Sequence, residues 1–229
     1  MASIEGVLDY VERETALDVI AITDHEDVRG GLEARELAAK RGSRLEIVPG
    51  AEVTTRHGHL LALFVERTPP IFRSVEATLA DIHDQGGIAI AAHPMSWLTR
   101  SLSRRTLDRV VARGEAGVAF DALEANFSPA GRVTAREAAA RNASHWHLPV
   151  CGGSDGHHLV QVGTGWTEFE GTTAAALRAA IGAGAVREGH SRPPSIREIG
   201  IGRAALGLAW GFSATPRKML QRRTWVSAR

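Results

Sequence analysis

The sequence predicts an α/β fold built on a largely parallel sheet. Three observations carry the prediction. Short apolar runs alternate with longer amphipathic stretches along most of the chain. Several of those runs end in clusters of Asp, Glu or His, where the strands of a parallel sheet place their functional groups. The chain has 229 residues, 44% hydrophobic and 23% charged, an ordinary globular composition with room for one domain and a short appendage.

The elements follow in order. Residues 3–14 set Ile4, Val7, Leu8 and Val11 on one helical face. Residues 18–22 are a short apolar run, read as a buried strand, that ends in Thr23-Asp24-His25-Glu26-Asp27. A helix over 29–41 stops at Gly42. Residues 45–48 form the next strand, which runs through Pro49-Gly50 into Ala51-Glu52-Val53, and 60–65 form another. A helix over 74–85, stopped by Gly86-Gly87, leads to a strand over 88–92 and then His93-Pro94. Residues 103–113 are helical, 122–125 a strand, 133–143 a helix and 150–153 a strand ending in Ser154-Asp155-Gly156-His157-His158. Residues 172–182 form the last helix, and Arg192-Pro193-Pro194-Ser195 separates a body, 1–190, from a tail, 191–229.

Charge divides at the same place. The formal net charge is +1, but the tail holds eight basic residues against the single acid Glu198, so it carries +7 and the body −6. A basic tail can touch phosphates, and it can equally be a solvated terminus. Several function classes are excluded. No apolar run approaches the ~20 residues of a membrane span, and no basic-then-apolar leader opens the chain. The single cysteine, Cys151, rules out a disulfide framework within the chain and a Cys-rich zinc site. A cytoplasmic setting is therefore expected. There is no G-x-S-x-G elbow, no phosphate-binding P-loop and no dinucleotide fingerprint. Cys151 sits in an apolar strand and reads as a buried, inert thiol.

Metal-ligand residue types remain, spread over successive strand ends: Asp24 and His25, Glu52, His59, His93, and Asp155 with His157. Imidazole and carboxylate together suit zinc, manganese or iron. Any one of these residues means little, but their repetition at one end of successive strands points to a metal site. His57 lies two residues before His59 but within an expected turn, so His59 alone is assigned. His83, His145, His147 and His190 are read as structural or surface residues, with His190 placed in the basic tail, and His158 would point away from His157.

The ordered set Ile22-Thr23-Asp24-His25, Pro49-Gly50-Ala51-Glu52-Val53-Thr54, Gly58-His59-Leu60-Leu61, Ala92-His93-Pro94 and Gly153-Ser154-Asp155-Gly156-His157 resembles the PHP (polymerase and histidinol phosphatase) superfamily of metal-dependent phosphoesterases. The resemblance runs from about residue 3 to 190 and is nearest to the stand-alone bacterial nucleoside-bisphosphate phosphatases and 5′-to-3′ exonucleases. It implies a distorted (β/α)7 TIM-like barrel holding two or three divalent ions, Mn, Zn or Fe. By position, Glu52 would bridge two ions, His59 and His93 would complete the second, Asp155 would serve the first, and His25 and His157 the third. Asp24, His25 and Glu52 are the expected catalytic group, with Asp24 orienting a neighbour.

In one respect the sequence departs from the family pattern. Family members open with a strand bearing H-x-H, and Met1-Ala2-Ser3-Ile4 stands inside what should be the first helix. The barrel is therefore expected to lack its first strand in this chain, through a late-assigned start or a truncation. An in-frame H-x-H in the DNA upstream of Met1 is the test.

The expected reaction is hydrolysis of phosphate esters, of nucleotides or of 5′ ends of short nucleic acids. Bound ions would lower the pKa of water to about 7, and Arg29, Arg100 or Arg132 could hold a second phosphate. The substrate would be a phosphorylated small molecule or a short nucleic acid, without a membrane. The alternatives are a non-catalytic relative that binds a phospholigand or a partner after losing part of its metal site, and an unrelated amidohydrolase-like metal hydrolase.

Overall fold

A computed structural model describes residues 2–128, 131–200 and 202. The expectations for 203–229, most of the basic tail, lie outside the described residues.

The chain opens with α1 (Ile4–Glu14), which starts where the Ser3 hydroxyl accepts the Gly6 N–H at 3.1 Å. Strand β1 (Val19–Ile22), helix α2 (Arg29–Arg41) and strand β2 (Glu46–Thr54) follow as a β-α-β unit with parallel strands. Gly42 ends α2 in the left-handed region at φ 61°. Leu8 and Val11 of α1 pack against Ala34 and Ala38 of α2 and Ile47 of β2, which buries the apolar face read from the sequence.

The strands β3 (His59–Leu63), β4 (Ile88–Ala91), β5 (Ala122–Asn126) and β6 (Val150–Gly153) complete a six-stranded sheet in the order β1-β2-β3-β4-β5-β6. The helices α3 (Val75–Asp84), α4 (Arg104–Arg113) and α5 (Ala135–Arg141) connect its later strands. Five strands run the same way. The exception is β3, antiparallel to both β2 and β4. The cause is the connection: only residues 55–58 separate β2 from β3, closed by Thr55 N–H to Gly58 O at 2.9 Å. A parallel crossover needs about a dozen residues. The sheet is thus mostly parallel and curls into a half-barrel, with β1 and β6 each paired on one side within it.

β1 was expected to be buried, but three of its residues are half-buried and Ala21 is exposed. It stands at the sheet edge, beside an open cleft, rather than in the middle of a closed wall. Two further strands were not foreseen. β7 (Gly165–Glu168) and β8 (Arg187–His190) pair antiparallel around helix α6 (Ala174–Gly182) and pack on β6. Their sequences, GWTE and REGH, lack both an apolar run and an alternation, and most of their residues stay partly or fully exposed. His190 closes β8, opposite Gly165, and is not part of the tail. A four-residue helix, α7 (Ile196–Ile199), follows.

The main core lies outside the curl, between sheet and helices. Val53, Leu60, Ala89 and Leu123 meet Leu79 and Ile82 of α3 and Leu107 and Val110 of α4 there. Inside the curl is a cleft of about 990 Å³. Its floor is apolar, with Leu61, Leu63, Ile90 and Cys151, and its upper rim holds the polar strand ends. No helix among the described residues is long and apolar enough to cross a membrane.

Candidate metal centre

Backbone pairing brings the first residues of the site together. Past the end of β1, Glu52 donates its N–H to Asp24 O at 3.1 Å and accepts the Glu26 N–H at 3.0 Å on its own carbonyl. That bridge holds His25 beside Glu52. On β2, Ala51 and Val53 enter the outer core, so strand alternation turns Glu52 to the inner face. β3 places His59 opposite Thr54 and Leu61 opposite Glu52, which makes His59 a diagonal neighbour of Glu52 on that face. His93 follows β4 with φ 27°, and Asp155 follows β6 with φ 47°, both in the left-handed region that non-glycine residues avoid. Such backbone cost collects at functional sites.

Glu52 is the hub. Its Oε1 lies 2.6 Å from His59 Nδ1 and 2.9 Å from His93 Nε2, and its Oε2 lies 3.6 Å from His25 Nε2. The imidazoles of His25 and His59 have centroids 5.3 Å apart, and those of His59 and His93 5.4 Å. His25, Glu52 and His59 each offer a donor atom within 4.8 Å of the others. Burial pushes the Glu52 carboxyl up, but His25 and His59 outweigh it and hold it well below the usual range. For His93, burial favours the neutral ring, yet the hydrogen bond and charge of Glu52 prevail and raise it to about 9.

The donor set fits a cation. His25 Nδ1 and His59 Nδ1 are buried without a hydrogen-bond partner, the latter because its close approach to Glu52 is poorly aligned. Two such orphaned nitrogens are costly in a bare protein and natural beside a metal. Neutral imidazole nitrogen with carboxylate oxygen is the donor chemistry of zinc, manganese and iron. His25, Glu52, His59 and His93 are the residues that could hold the ion.

The structure places the other expected residues less tightly. Asp155 and His157 line the same cleft. His157 is exposed, with its ring 6.5 Å from that of His25 and its Nδ1 3.0 Å from the Asp155 carbonyl. Asp24 lines the cleft too, but its carboxylate lies over Gly30 at the start of α2, where any Cβ would overlap it. Of the three arginines, Arg29 is engaged by Asp27 at 2.7 and 2.9 Å, and Arg100 stacks over Phe72 at 5.4 Å. Arg132 lines a cavity. His57, His145 and His147 are exposed, and His83 is bound to Asp121 at 2.9 Å.

Sequence reasoning missed the residues behind the ligands. Glu124, buried in β5, accepts the His93 N–H at 2.6 Å and the Asn126 side-chain amide at 3.1 Å. Burial raises the Glu124 carboxyl to about 7, against the pull of His93. A Cβ on Gly153 would overlap its Oε1, so the glycine before Ser154-Asp155 makes room for it. The hydroxyls of Ser101 and Thr99 lie 2.7 and 3.1 Å from His93 Nδ1. A carboxylate inside a strand that was otherwise read as apolar is the one signal that could have marked Glu124.

Comparison with known proteins agrees with this picture. Residues 133–186 match the family model described as PHP-associated. An uncharacterized protein of Methanocaldococcus jannaschii is 39% identical over 98 residues, which is 43% of this chain and 56% of that protein. The chain thus spans little more than half of that relative. Three solved structures share the fold. A two-domain protein containing a predicted PHP-like metal-dependent phosphoesterase, from Bacteroides vulgatus, has TM-score 0.62 at 18% identity, over 82% of this chain and 59% of that one. PsfC from Pseudomonas syringae has TM-score 0.59 at 19% identity, over 92% and 89%. A candidate metal-dependent phosphoesterase from Bifidobacterium adolescentis has TM-score 0.53 at 19% identity, over 69% and 83%. Residues 133–186 thus match the PHP-associated model, and the fold is shared with these three structures.

Proposed function

We propose that the chain is a cytoplasmic metal-dependent phosphoesterase that hydrolyses phosphate esters of nucleotides or of short nucleic-acid 5′ ends. The observation that carries this reading is the buried Glu52 carboxylate ringed by His25, His59 and His93 at the rim of a large cleft. On this reading those four residues hold the cation, and Asp155 and His157 serve a second or third ion from the facing rim. Bound divalent ions supply charge to the phosphoryl oxygens and lower the pKa of attacking water to about 7.

The chain's own residues do the rest. The Glu124 carboxylate and the Ser101 and Thr99 hydroxyls fix the His93 ring from its backbone and from Nδ1, leaving Nε2 aimed at the centre. The Asp24 carboxylate lies against Gly30 at the start of α2, next in sequence to His25. The apolar floor of Leu61, Leu63 and Ile90 walls off water below the reacting group. The half-barrel is, on the same reading, most of a distorted (β/α)7 barrel.

The rival is a relative that binds a phospholigand without turnover. One observation favours it: among the described residues, only His25, Glu52 and His59 meet at metal-ligand spacing as a group of three. The test is hydrolysis of p-nitrophenyl phosphate with added manganese. Metal-dependent turnover that falls roughly a hundredfold or more in Glu52→Gln is expected. Absence of turnover in a metal-loaded, folded chain would favour the rival.

A further inference from the structure

Glu26 follows His25 directly and is only 2% exposed, yet it does not join the group of His25, Glu52 and His59 at metal-ligand spacing. A carboxylate removed this far from water is stable only where hydrogen-bond donors meet it. Its backbone and its side chain both meet β2. The register of β1 on β2 sets Ile22 opposite Pro49 and resumes, past the end of β1, as an isolated parallel bridge with His25 opposite Glu52. Two bonds make that bridge, Glu52 N–H to Asp24 O at 3.1 Å and Glu26 N–H to Glu52 O at 3.0 Å.

In a regular parallel ladder the next bond would run from the Thr54 N–H to the Glu26 carbonyl. Here the Thr54 N–H goes to the Glu26 carboxylate instead, 3.2 Å from Oε1 and 3.4 Å from Oε2. The cause lies in the backbone. Glu26 has φ 57°, in the left-handed region, and the chain turns there out of the sheet towards the start of α2. The ladder stops at His25, and a side chain supplies the acceptor that the backbone has turned away. Thr54 is fully buried, so its amide has no water to bond in place of that carboxylate. Aspartate at this position would fall one methylene short of it.

We infer that Glu26 is a positioning residue, whose carboxylate replaces the missing backbone acceptor of the β1–β2 ladder and so keeps His25 beside Glu52. The inference rests on the reading of His25 and Glu52 as ligands of a cation. A bridge of two bonds at the end of a strand is the kind of element that opens locally. The carboxylate is the third bond that holds it closed, and His25 Nε2, 3.6 Å from Glu52, is the ligand atom that depends on it.

Two measurements on the full chain test this, one with manganese and one without metal. In competition against a fluorescent chelator, Glu26→Met, which keeps the bulk and removes the acceptor, should bind manganese about tenfold more weakly than wild type. Glu26→Gln keeps an acceptor oxygen and should stay within about twofold of wild type. Because Glu26 acts through His25, adding Glu26→Met to His25→Ala should weaken binding by less than about twofold more, whereas adding it to His93→Ala should bring the tenfold loss again. Wild-type affinity in Glu26→Met, a tenfold loss in Glu26→Gln, or full additivity with His25→Ala would each overturn the role. In EDTA, amide hydrogen exchange reads the bridge itself. Relative to the Leu79 amide in α3, the amides of Thr54 and residue 26 should exchange at least about tenfold faster in Glu26→Met than in wild type or Glu26→Gln. Equal exchange in all three would also overturn it. If Glu26→Met does not fold, Glu26→Asp is compared with Glu26→Gln in both assays. A wild type that binds no manganese would sink the metal reading, and the exchange comparison would still decide whether Glu26 holds the bridge.

Discussion

The placement of His93 makes a prediction that can be worked through from distances. Its ring is almost fully buried, its Nε2 lies 2.9 Å from Glu52, and its Nδ1 lies 2.7 Å from the Ser101 hydroxyl and 3.1 Å from that of Thr99. A ring whose Nδ1–H donates to a hydroxyl keeps the Nε2 lone pair for a cation. Removing such an orienting partner costs about 10–100-fold in metal affinity. In Ser101→Ala the Thr99 hydroxyl remains in reach, so the loss should fall near the lower figure. In Ser101→Ala with Thr99→Val, Nδ1 has no partner, and the loss should approach the upper one. The unpaired buried nitrogen should also cost about 1–3 kcal/mol of stability. The assay is competition for manganese against a fluorescent chelator, with urea unfolding of each variant in parallel. A double variant that binds manganese like wild type would refute the orienting role.

Three further outcomes follow from the packing. Leu79 is fully buried between α3 and the sheet, so Leu79→Ala should lower unfolding free energy by about 2–5 kcal/mol in urea titrations. Gly153→Ala should push the Glu124 carboxylate from its place and strain the β6 end, costing about 1–3 kcal/mol together with a measurable drop in manganese affinity. For His83, burial favours the neutral ring, but the Gly117 carbonyl at 2.8 Å and Asp121 at 2.9 Å prevail and raise its pKa above the ordinary 6.5. Its stabilisation is therefore fully present below 6.5 and disappears as pH rises through the raised folded value. Urea unfolding should show wild type exceeding His83→Leu in acid and the gap closing in mild alkali.

Much of the fold was legible because the helices and inner strands carry strong patterns. The Leu8 and Val11 face of α1 is buried as read, and Gly42 after α2 and Gly86-Gly87 after α3 mark those helix ends within two residues. That His25, Glu52, His59 and His93 lie near one rim was legible as well, because each falls at or near the same end of successive apolar runs. The reversal of β3 was not read, although the four-residue connection at 55–58 leaves no room for a crossover. β7 and β8 escaped because their pairing is between backbones, with side chains that stay exposed. Glu124 and Asn126 were hidden for another reason. A carboxylate within a short strand looks like a surface residue until the neighbour it holds, the His93 N–H, is known.

On the proposed function, Glu52 and its three imidazoles hold a cation. The most direct measurement is metal content of the purified chain by elemental analysis after equilibrium dialysis against manganese or zinc, alongside Glu52→Ala and His59→Ala. At least one ion per wild-type chain is expected, and its loss in both variants. A folded wild-type chain that retains no ion above background, or variants that retain as much as wild type, would contradict it.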